Sequence, residues 1–164
     1  MVYEFIDFPG ACRASNYGLI NTFISKAYFR FNTYEHVIAA CSNGGIDVVR
    51  HVIEYCKINN IEFDINRVFR VAVCKCELEV IYYLLRQGVD INYREGLFFR
   101  ETCRNHRLDV MKILVENGAD VQASNNVALR DAVLYCDIDI ICFLIENGVD
   151  GSNVPQTIFD NGIC

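Results

Sequence analysis

The segment LEVIYYLLRQGVD, residues 78–90, recurs along the chain at intervals of thirty residues. Its next copy is LDVMKILVENGAD at 108–120, and the one after that is IDIICFLIENGVD at 138–150. A further copy begins with IDVV at 46–49, thirty-two residues upstream, and therefore carries a two-residue insertion before the next unit. Self-similarity at a fixed period is typical of repeat architectures, so we expect several similar units stacked on one another.

Each of the four copies has the apolar pattern of a helix. All twenty residues at offsets 0, 2, 3, 6 and 7 of the copies are apolar, although this class makes up only 52% of the chain. The spacing predicts a helix that buries a broad face. The glycine at the tenth offset, which is Gly88, Gly118 or Gly148, falls where a helix C-terminal cap belongs.

A second helical pattern precedes each copy. Its first matched position is occupied by a large apolar residue, and small residues follow at offsets 3 and 4, where Cys41 and Cys103 serve as compact apolar side chains. The narrow stripe lets a neighbouring helix approach closely. The large residues at the first position are Val37, Phe69, Phe99 and Leu129. Each unit is therefore predicted to be a helix, a tight turn, a second helix and a short connection containing Asp, and several units must stack to bury their faces.

The repeat resembles the ankyrin repeat, whose pattern runs Thr-Pro-Leu-His-x-Ala-Ala, then a Gly, a helix and Gly-Ala-Asp-x-Asn. The matching strings here are VALRDAV at 127–133 and ENGADV at 116–121. The form with Arg130 in place of the family's His is similar to repeats of giant-virus ankyrin proteins. The resemblance implies an all-α, ankyrin-type solenoid of about five helix-turn-helix pairs.

The resemblance covers residues 34–150, and a degenerate unit is expected before it. We expect a single domain over residues 1–164. Its repeats are predicted at 10–33, which is degenerate, and at 34–62, 63–92, 93–122 and 123–152. Residues 153–164 begin another inner helix, because Thr157 lies thirty residues after Val127. Three interpretations of this end stay open: a half-cap, a fragment of a longer array, or an uncapped end through which copies self-associate.

The chain departs from the family pattern in the turns and in the hairpins. No unit keeps Thr-Pro, and the Gly between the helices is expected to survive only at Gly44 and Gly18. The residues that replace it are Cys76, His106 and Cys136. The family's usual thirty-three-residue period would need three more residues between Gly118 and Val127. Shortened hairpin loops follow, and they count against an interface dominated by hairpin tips.

Charge and composition restrict the partners and the location. Fifteen basic and twenty-one acidic residues give a net charge of -6, which counts against nucleic-acid binding. No apolar run reaches the length of a membrane span, so no membrane partner is expected. The first eight residues carry two acidic side chains and no basic one, unlike a signal peptide. The odd number of cysteines, nine, favours reduced thiols in an intracellular protein, which we expect in the cytoplasm, or in that of the host if viral.

No catalytic or metal-binding constellation stands out. Cys74 and Cys76 with His51 and His106 suggest a zinc site, but Cys-x-Cys on a helix points the thiols apart and no Cys-x-x-Cys occurs. The three histidines fall at unrelated repeat positions, and no glycine-rich loop is present to hold phosphate. We therefore expect no enzymatic activity, no cofactor and no metal.

One periodic feature has two interpretations. Arg70, Arg100 and Arg130 recur at thirty-residue intervals, so stacked repeats would line up their guanidinium groups. Such a row would bind carboxylates or other anions. Alternatively, each Arg bonds carbonyls or acidic side chains of its own or the adjacent unit, in place of the family's His.

The resemblance also implies where a partner protein would bind. In the family, partners contact the exposed residues just before the inter-helix turn and the hairpin tips. Carried over, the first set is Ser42, Asn43, Cys74, Lys75, Arg104, Asn105, Leu134 and Tyr135, and the second is Phe63, Asp64, Tyr93, Arg94, Ser124 and Asn126. We expect a non-enzymatic protein-interaction module that uses the concave face. The alternatives are a structural protein that self-associates by stacking the ends Val2–Phe8 and Ile158–Cys164, and a metal- or thiol-dependent protein.

Overall fold

The computed structural model describes residues 7–25, 33–75, 77–122, 127–135, 137–152 and 154. Every regular element among these residues is an α-helix and none is a strand, which confirms the all-α prediction. The chain divides into two units, Met1–Val89 and Asp90–Cys164, called unit 1 and unit 2 below.

Unit 1 consists of three helix pairs in its described part. The first members of the pairs are α1 (Phe8–Arg13), α3 (Thr33–Asn43) and α5 (Ile65–Lys75), and the second members are α2 (Tyr17–Ser25), α4 (Ile46–Ile58) and α6 (Leu78–Leu85). We call the first members inner helices and the second members outer helices. Inner helices contact each other in chain order, as do outer helices, so successive pairs lie side by side within the unit.

Unit 2 has two helix pairs in its described part, α7 (Tyr93–Arg104) with α8 (Leu108–Glu116) and α9 (Val127–Leu134) with α10 (Ile138–Glu146). The inner helices α7 and α9 pack against each other, and each contacts its outer partner. Near its start α7 is interrupted by a left-handed turn, with φ of 49° at Arg94, 52° at Glu95 and 77° at Gly96.

The core follows the period of the repeat. Residues at offsets 2, 3 and 6 of each copy are all buried. They are Val48, Val49, Val52, Val80, Ile81, Leu84, Val110, Met111, Leu114, Ile140, Ile141 and Leu144. Offset 0 is less buried than predicted, because it is the first residue of the helix; Leu78 there is exposed. The inner helices bury their first matched position throughout, from Val37 to Leu129.

The glycines at the ends of the outer helices act as predicted. Gly88, Gly118 and Gly148 have φ of 92°, 88° and 91°, in the left-handed region that favours glycine. After Gly148 the amide of Val149 donates to the carbonyl of Leu144 at 3.1 Å, which closes a Schellman motif. Asn60, with φ of 53°, ends α4 in the same way, so the extra residues of this repeat lengthen its outer helix.

The inter-helix turns follow the predicted pattern only in part. His106 occupies one of the predicted turn positions and has φ of 53°, the left-handed conformation. Gly44 does not have a left-handed φ; instead it allows a close approach, since a Cβ there would lie 2.6 Å from Val48 Cγ1. The expectation that Gly18 forms a turn is wrong: it lies within α2, and Ser15 has the left-handed φ of 50°. Cys76 and Cys136 lie outside the described residues.

The chain ends bear on the self-association alternative only through a few residues. Phe8 is buried, with its ring 5.8 Å from Phe23 and 4.5 Å from His36 between centroids, so it takes no part in an exposed apolar end. Residues 2–6 and 155–164 lie outside the described residues, and with them most of the expected partial repeat. Val154, the described residue nearest the C-terminus, is buried.

Candidate functional site

Side-chain hydrogen bonds join residues thirty positions apart in unit 1. Arg13 Nη1 donates to Asn43 Oδ1 at 2.8 Å, at the C-terminal ends of the inner helices α1 and α3. His51 Nε2 is 2.8 Å from Asn21 Oδ1 on the neighbouring outer helices, and Lys57 donates to Gln87. The thirty-residue period of the sequence is therefore also the period of the polar contacts between pairs.

Unit 2 repeats a different set of hydrogen bonds in its connecting loops. Asn92 Nδ2 donates to the carbonyl of Gly118 at 3.4 Å, and Gln122 Nε2 donates to that of Gly148 at 3.3 Å. Asp120 Oδ1 accepts from the amide of Gln122 at 2.9 Å, forming an Asx turn. The Asp of each short connection thus shapes the loop that follows it.

The C-terminal ends of the inner helices, here called the inner-helix ends, carry two pairs of polar side chains in unit 2. Arg104 Nε lies 3.3 Å from Asp131 Oδ2, across α7 and α9. The Asp131 side chain is only 10% exposed, whereas the Arg104 side chain is 47% exposed. Arg104, predicted to contact a partner, therefore also balances a buried negative charge.

The second pair involves the turn after α7. His106 Nδ1 is 2.7 Å from Asp137 Oδ2, and Asp137 Oδ1 accepts from the amide of Ile140 at 3.2 Å. Asp137 therefore caps the N-terminus of α10 and holds the turn of the preceding pair at the same time. His106 is fixed by a structural contact, and it belongs to no group of three metal-binding side chains among the described residues.

Two of the predicted partner-binding asparagines cap helices. Asn43 Nδ2 donates to the carbonyl of Ala39 at 2.9 Å, and Asn105 Nδ2 donates to that of Glu101 at 2.8 Å. Each amide thus bonds to a backbone carbonyl four residues earlier in the chain, and the Glu101 carbonyl also accepts from the backbone amide of Asn105 at 3.1 Å. Asn43 accepts the Arg13 bond as well, so both of its side-chain polar atoms are engaged.

Leu134 and Tyr135 are the most exposed apolar pair at an inner-helix end. Leu134, the last residue of α9, is 71% exposed, and Tyr135 beside it is 44% exposed. The Tyr135 ring meets the His106 ring edge-on, with centroids 6.2 Å apart. The two polar pairs and this apolar pair therefore lie together at the ends of α7 and α9.

The inner-helix ends of unit 1 enclose a cavity of about 380 Å³. Arg13, Asn43 and Lys75 line it, and each ends its own inner helix. Ser42, also predicted to be exposed at this level, is part of the lining, as is the carboxylate residue Glu77. Lys75 is exposed and forms no hydrogen bond or ion pair with any residue that the structure describes.

The predicted hairpin-tip residues have mainly local contacts. Phe63 and Asp64 line a separate open cavity of about 620 Å³ in unit 1. Asp64 Oδ1 accepts from the amide of Asn66 at 2.9 Å, so this carboxylate caps α5. The Arg94 guanidinium lies 5.1 Å from the ring centre of half-buried Tyr93. Ser124 and Asn126 lie outside the described residues.

The three arginines of the thirty-residue row differ in surroundings. Arg70 is exposed in unit 1, and Arg130 is exposed in unit 2. Arg100 is half-buried, and its Nε is buried without a hydrogen-bond partner among the described residues. The interpretation in which each Arg bonds carbonyls or acidic side chains therefore does not hold for the Arg100 Nε. The role of the three arginines stays a prediction.

The cysteines of the described part are mostly unreactive. Burial raises the pKa of the Cys12 and Cys56 thiols to about 11, and burial together with Asp131 and Asp137 raises that of Cys103 to about 12. These three thiols are protonated at neutral pH, and the thiolate is the nucleophile. The expectation of reduced thiols is wrong at Cys142, which is disulfide-bonded. Cys12, Cys41, Cys56, Cys74 and Cys103 form no disulfide bond.

Sequence reasoning missed three residues of these sites. Arg13 lies in the degenerate first unit, and its signal is its position thirty residues before Asn43. Asp137 directly precedes a repeat copy, where an N-cap residue belongs. Asp131 shows no comparable signal, because an acidic residue in a helix is expected at the surface.

No protein-family model matches the chain, and no curated protein matches its sequence. Among the described residues, no helix is long and apolar enough to cross a membrane.

Proposed function

We propose that the chain is a non-enzymatic protein-interaction module of the ankyrin-repeat type, whose inner-helix face contacts the partner. The proposal rests on the resemblance in the repeat strings and on the helix pairs packed side by side within each unit. Hydrogen bonds between positions thirty residues apart support it further, because side-by-side repeats place equivalent side chains next to each other.

The exposure of Leu134 to solvent is the observation that best supports the interaction role. A leucine that is 71% exposed beside a tyrosine that is 44% exposed leaves apolar surface in water at an inner-helix end. Tyr is enriched in interface hot spots, and Arg104 nearby adds another residue type of this class. A partner that covers Leu134 and Tyr135 would remove this apolar surface from water.

The contacts of the titratable groups favour a non-enzymatic role. His51 and His106 contact Asn21 and Asp137, and among the described residues neither ring has a hydrogen bond to a serine or cysteine that it could activate. A nucleophilic thiol needs a lowered pKa or an adjacent base, whereas the pKa of Cys103 is raised to about 12. We therefore assign the exposed side chains to binding rather than to chemistry.

The test compares two double variants of the full chain in affinity capture from the cells that naturally produce it. Leu134→Ala/Tyr135→Ala removes the exposed pair at the inner-helix end. Ile58→Ala/Tyr82→Ala is the matched control, since Ile58 is 80% exposed, Tyr82 is 44% exposed, and both lie on outer helices. We expect the first variant to lose at least about tenfold of the captured partner, since hot-spot truncations weaken binding by ~2 kcal/mol or more, and the control to retain it.

Far-ultraviolet circular dichroism checks that both variants keep their helices. Equal recovery of the partner by the wild type and by the Leu134→Ala/Tyr135→Ala variant would refute the assigned face. Loss of recovery by the outer-helix control alone would move the binding surface to the outer helices.

A further inference from the structure

The inner and outer helices of unit 1 differ in charge. The inner helices carry one acidic side chain, Glu35, and several basic ones. These basic residues are Arg13, Arg67, Arg70 and Lys75, and all are exposed. The outer helices have the opposite balance, with more acidic than basic side chains. A chain with a net charge of -6 therefore presents a positive surface along one row of its helices.

Two of these four basic side chains line the cavity between the inner-helix ends. Arg13 and Lys75 both line it. Asn43, which holds the equivalent position in the intervening helix pair, lines it as well. Gly45, also in the lining, is the N-cap of α4, and no side chain caps it. The cavity therefore combines two cations with backbone donors that lack a side-chain acceptor.

Arg13 and Lys75 differ in how far they are engaged by the protein. Arg13 Nη1 donates to Asn43 Oδ1, whereas Lys75 has no polar contact within the described residues. Both occupy the last turn of a helix, where the dipole favours a cation. Helix stabilisation alone would account for each residue separately, but it does not require them to line one concave site.

We propose that this cavity binds an acidic segment of a partner protein, whose carboxylates pair with Lys75 and Arg13. The inference rests on the proposed interaction role and names the chemistry of its partner. Glu77, the carboxylate of the lining, opposes such a ligand and limits its affinity. An aspartate- or glutamate-rich peptide fits the site because carboxylates accept from ammonium, guanidinium and backbone amide groups.

Charge complementarity favours a protein segment over a nucleic acid. A nucleic acid presents closely spaced phosphates, and its affinity comes from many clustered cations. The cavity offers two, and the connecting loop of unit 1 adds the acidic Glu62 and Asp64. A short acidic peptide needs only one or two carboxylates in the cavity, which matches its two cations.

The test uses the full chain and a fluorescein-labelled peptide rich in Asp and Glu, with a matched peptide in which these residues are Asn and Gln. Fluorescence anisotropy gives the dissociation constants. We expect only the acidic peptide to bind, and its binding to weaken when NaCl is raised from about 50 to about 300 mM. Lys75→Gln raises the dissociation constant about threefold, and Arg13→Gln/Lys75→Gln raises it about tenfold.

Two further variants separate specific pairing from other effects. Glu77→Gln lowers the dissociation constant about threefold, a gain that misfolding does not produce. Arg86→Gln, the matched control, removes an exposed positive charge just after the outer helix α6 of the same unit and leaves the affinity unchanged. Equal weakening by Arg86→Gln and Lys75→Gln, or no strengthening by Glu77→Gln, would overturn the proposal.

Two outcomes separate this inference from the proposed function. If the acidic peptide does not bind while partner capture still requires Leu134 and Tyr135, the inference fails and the interaction role stands. A single-stranded oligonucleotide of equal charge that binds more tightly than the peptide, and depends on Lys75, would overturn the acidic-protein assignment.

Discussion

Units 1 and 2 use the same repeat but hold their inner-helix ends together with different chemistry. In unit 1, Arg13 donates to the neutral amide of Asn43. In unit 2, Arg104 pairs with the buried carboxylate of Asp131. His106 contacts the partly buried carboxylate of Asp137. The period of a repeat thus fixes which positions meet, whereas the residue types at those positions decide whether the contact is neutral or charged.

This difference also decides which positively charged side chains remain available to a partner. Arg104 balances a buried carboxylate, so a ligand that takes its guanidinium leaves Asp131 uncompensated. Lys75 balances no described group and is open to an acidic ligand. Unit 1 is therefore suited to recognition of charge, and unit 2 to apolar contact through Leu134 and Tyr135.

The largest expected effect concerns the charge pair of unit 2. Arg104→Ala leaves the Asp131 carboxylate buried and unpaired, which we expect to lower the free energy of unfolding by about 3 kcal/mol. Arg13→Ala in unit 1 removes an exposed hydrogen bond and lowers it by about 1 kcal/mol. Urea unfolding followed by circular dichroism, with hydrogen exchange of the α3 and α9 amides, measures both effects.

Adding Asp131→Ala to the Arg104→Ala variant tests the cause. Without the buried carboxylate, most of the lost stability should return. The contrast between the units breaks down if Arg13→Ala proves as damaging as Arg104→Ala.

A smaller effect comes from the inter-helix turn, where Gly44 of unit 1 corresponds to His106 of unit 2. Gly44→Ala should cost about 2 kcal/mol, because the added Cβ meets Val48 at 2.6 Å and the Ala40 carbonyl at 3.0 Å. His106→Gly relieves the strain of a non-glycine residue with a left-handed backbone conformation, by about 1 kcal/mol. It also loses the contact with Asp137, which is of similar worth. Thermal unfolding should find the His106→Gly variant within about 0.5 kcal/mol of wild type. A neutral Gly44→Ala variant would contradict this account.

The repeat period was sufficient to predict the helices and most of the core. Burial recurs with the repeat, so Val80 and its equivalents were identifiable from the sequence, as was the left-handed conformation of Gly88. The sequence also showed that the second repeat is longer, but not that the extra residues lengthen α4. An insertion is accepted wherever the backbone can absorb it, and only packing decides the place.

The candidate sites were less predictable than the fold. Exposed positions such as Leu134 and Lys75 follow from their place in the repeat. The resemblance does not indicate that Asn43 and Asn105 cap their own helices, or that Arg104 faces a buried Asp131. These roles depend on rotamers and on the pairing of neighbouring helices, which a single sequence does not specify.

Two buried thiols, one in each unit, should make the stability of the protein fall at alkaline pH. The folded-state pKa of Cys103 in unit 2 is raised from 9.0 to about 12, and that of Cys56 in unit 1 to about 11. Because the folded-state pKa of each thiol lies above its unfolded-state pKa, the contribution of the thiol to stability is fully present below the unfolded-state pKa. This contribution is lost as the pH rises towards the folded-state pKa. For each thiol the loss should be about 1.4 kcal/mol by pH about 10.

The Cys103→Ala and Cys56→Ala variants isolate these contributions, because the titration of other groups cancels in the difference from wild type. The difference for Cys56 should level off near pH 11, whereas that for Cys103 continues towards pH 12. Burial is the largest cause of the rise at Cys103, and the neighbouring carboxylates Asp131 and Asp137 add to it. Coincident profiles would remove the proposed influence of these charges.

The smallest expected effect compares two acidic residues at the same repeat position. Asp109 in unit 2 and Asp47 in unit 1 both lie in the first turn of an outer helix, so each gains equally from the helix dipole. Arg107 Nε donates to Asp109 Oδ1 at 2.9 Å and holds the pKa of that carboxyl below its usual value. Arg50 lies 3.6 Å from Asp47, whose side chain is well exposed.

Because the folded pKa of Asp109 is lowered, its stabilisation is present above the unfolded value of about 3.9 and is lost as pH falls through the folded pKa. After allowance for exposure, Asp109→Asn should cost about 0.5 kcal/mol more than Asp47→Asn at pH about 7, and the excess should vanish near pH 2. Unfolding measured at both pH values decides the matter. An excess that persists in acid would assign it to side-chain packing rather than to the charge, and the two units would then differ at this position in shape alone.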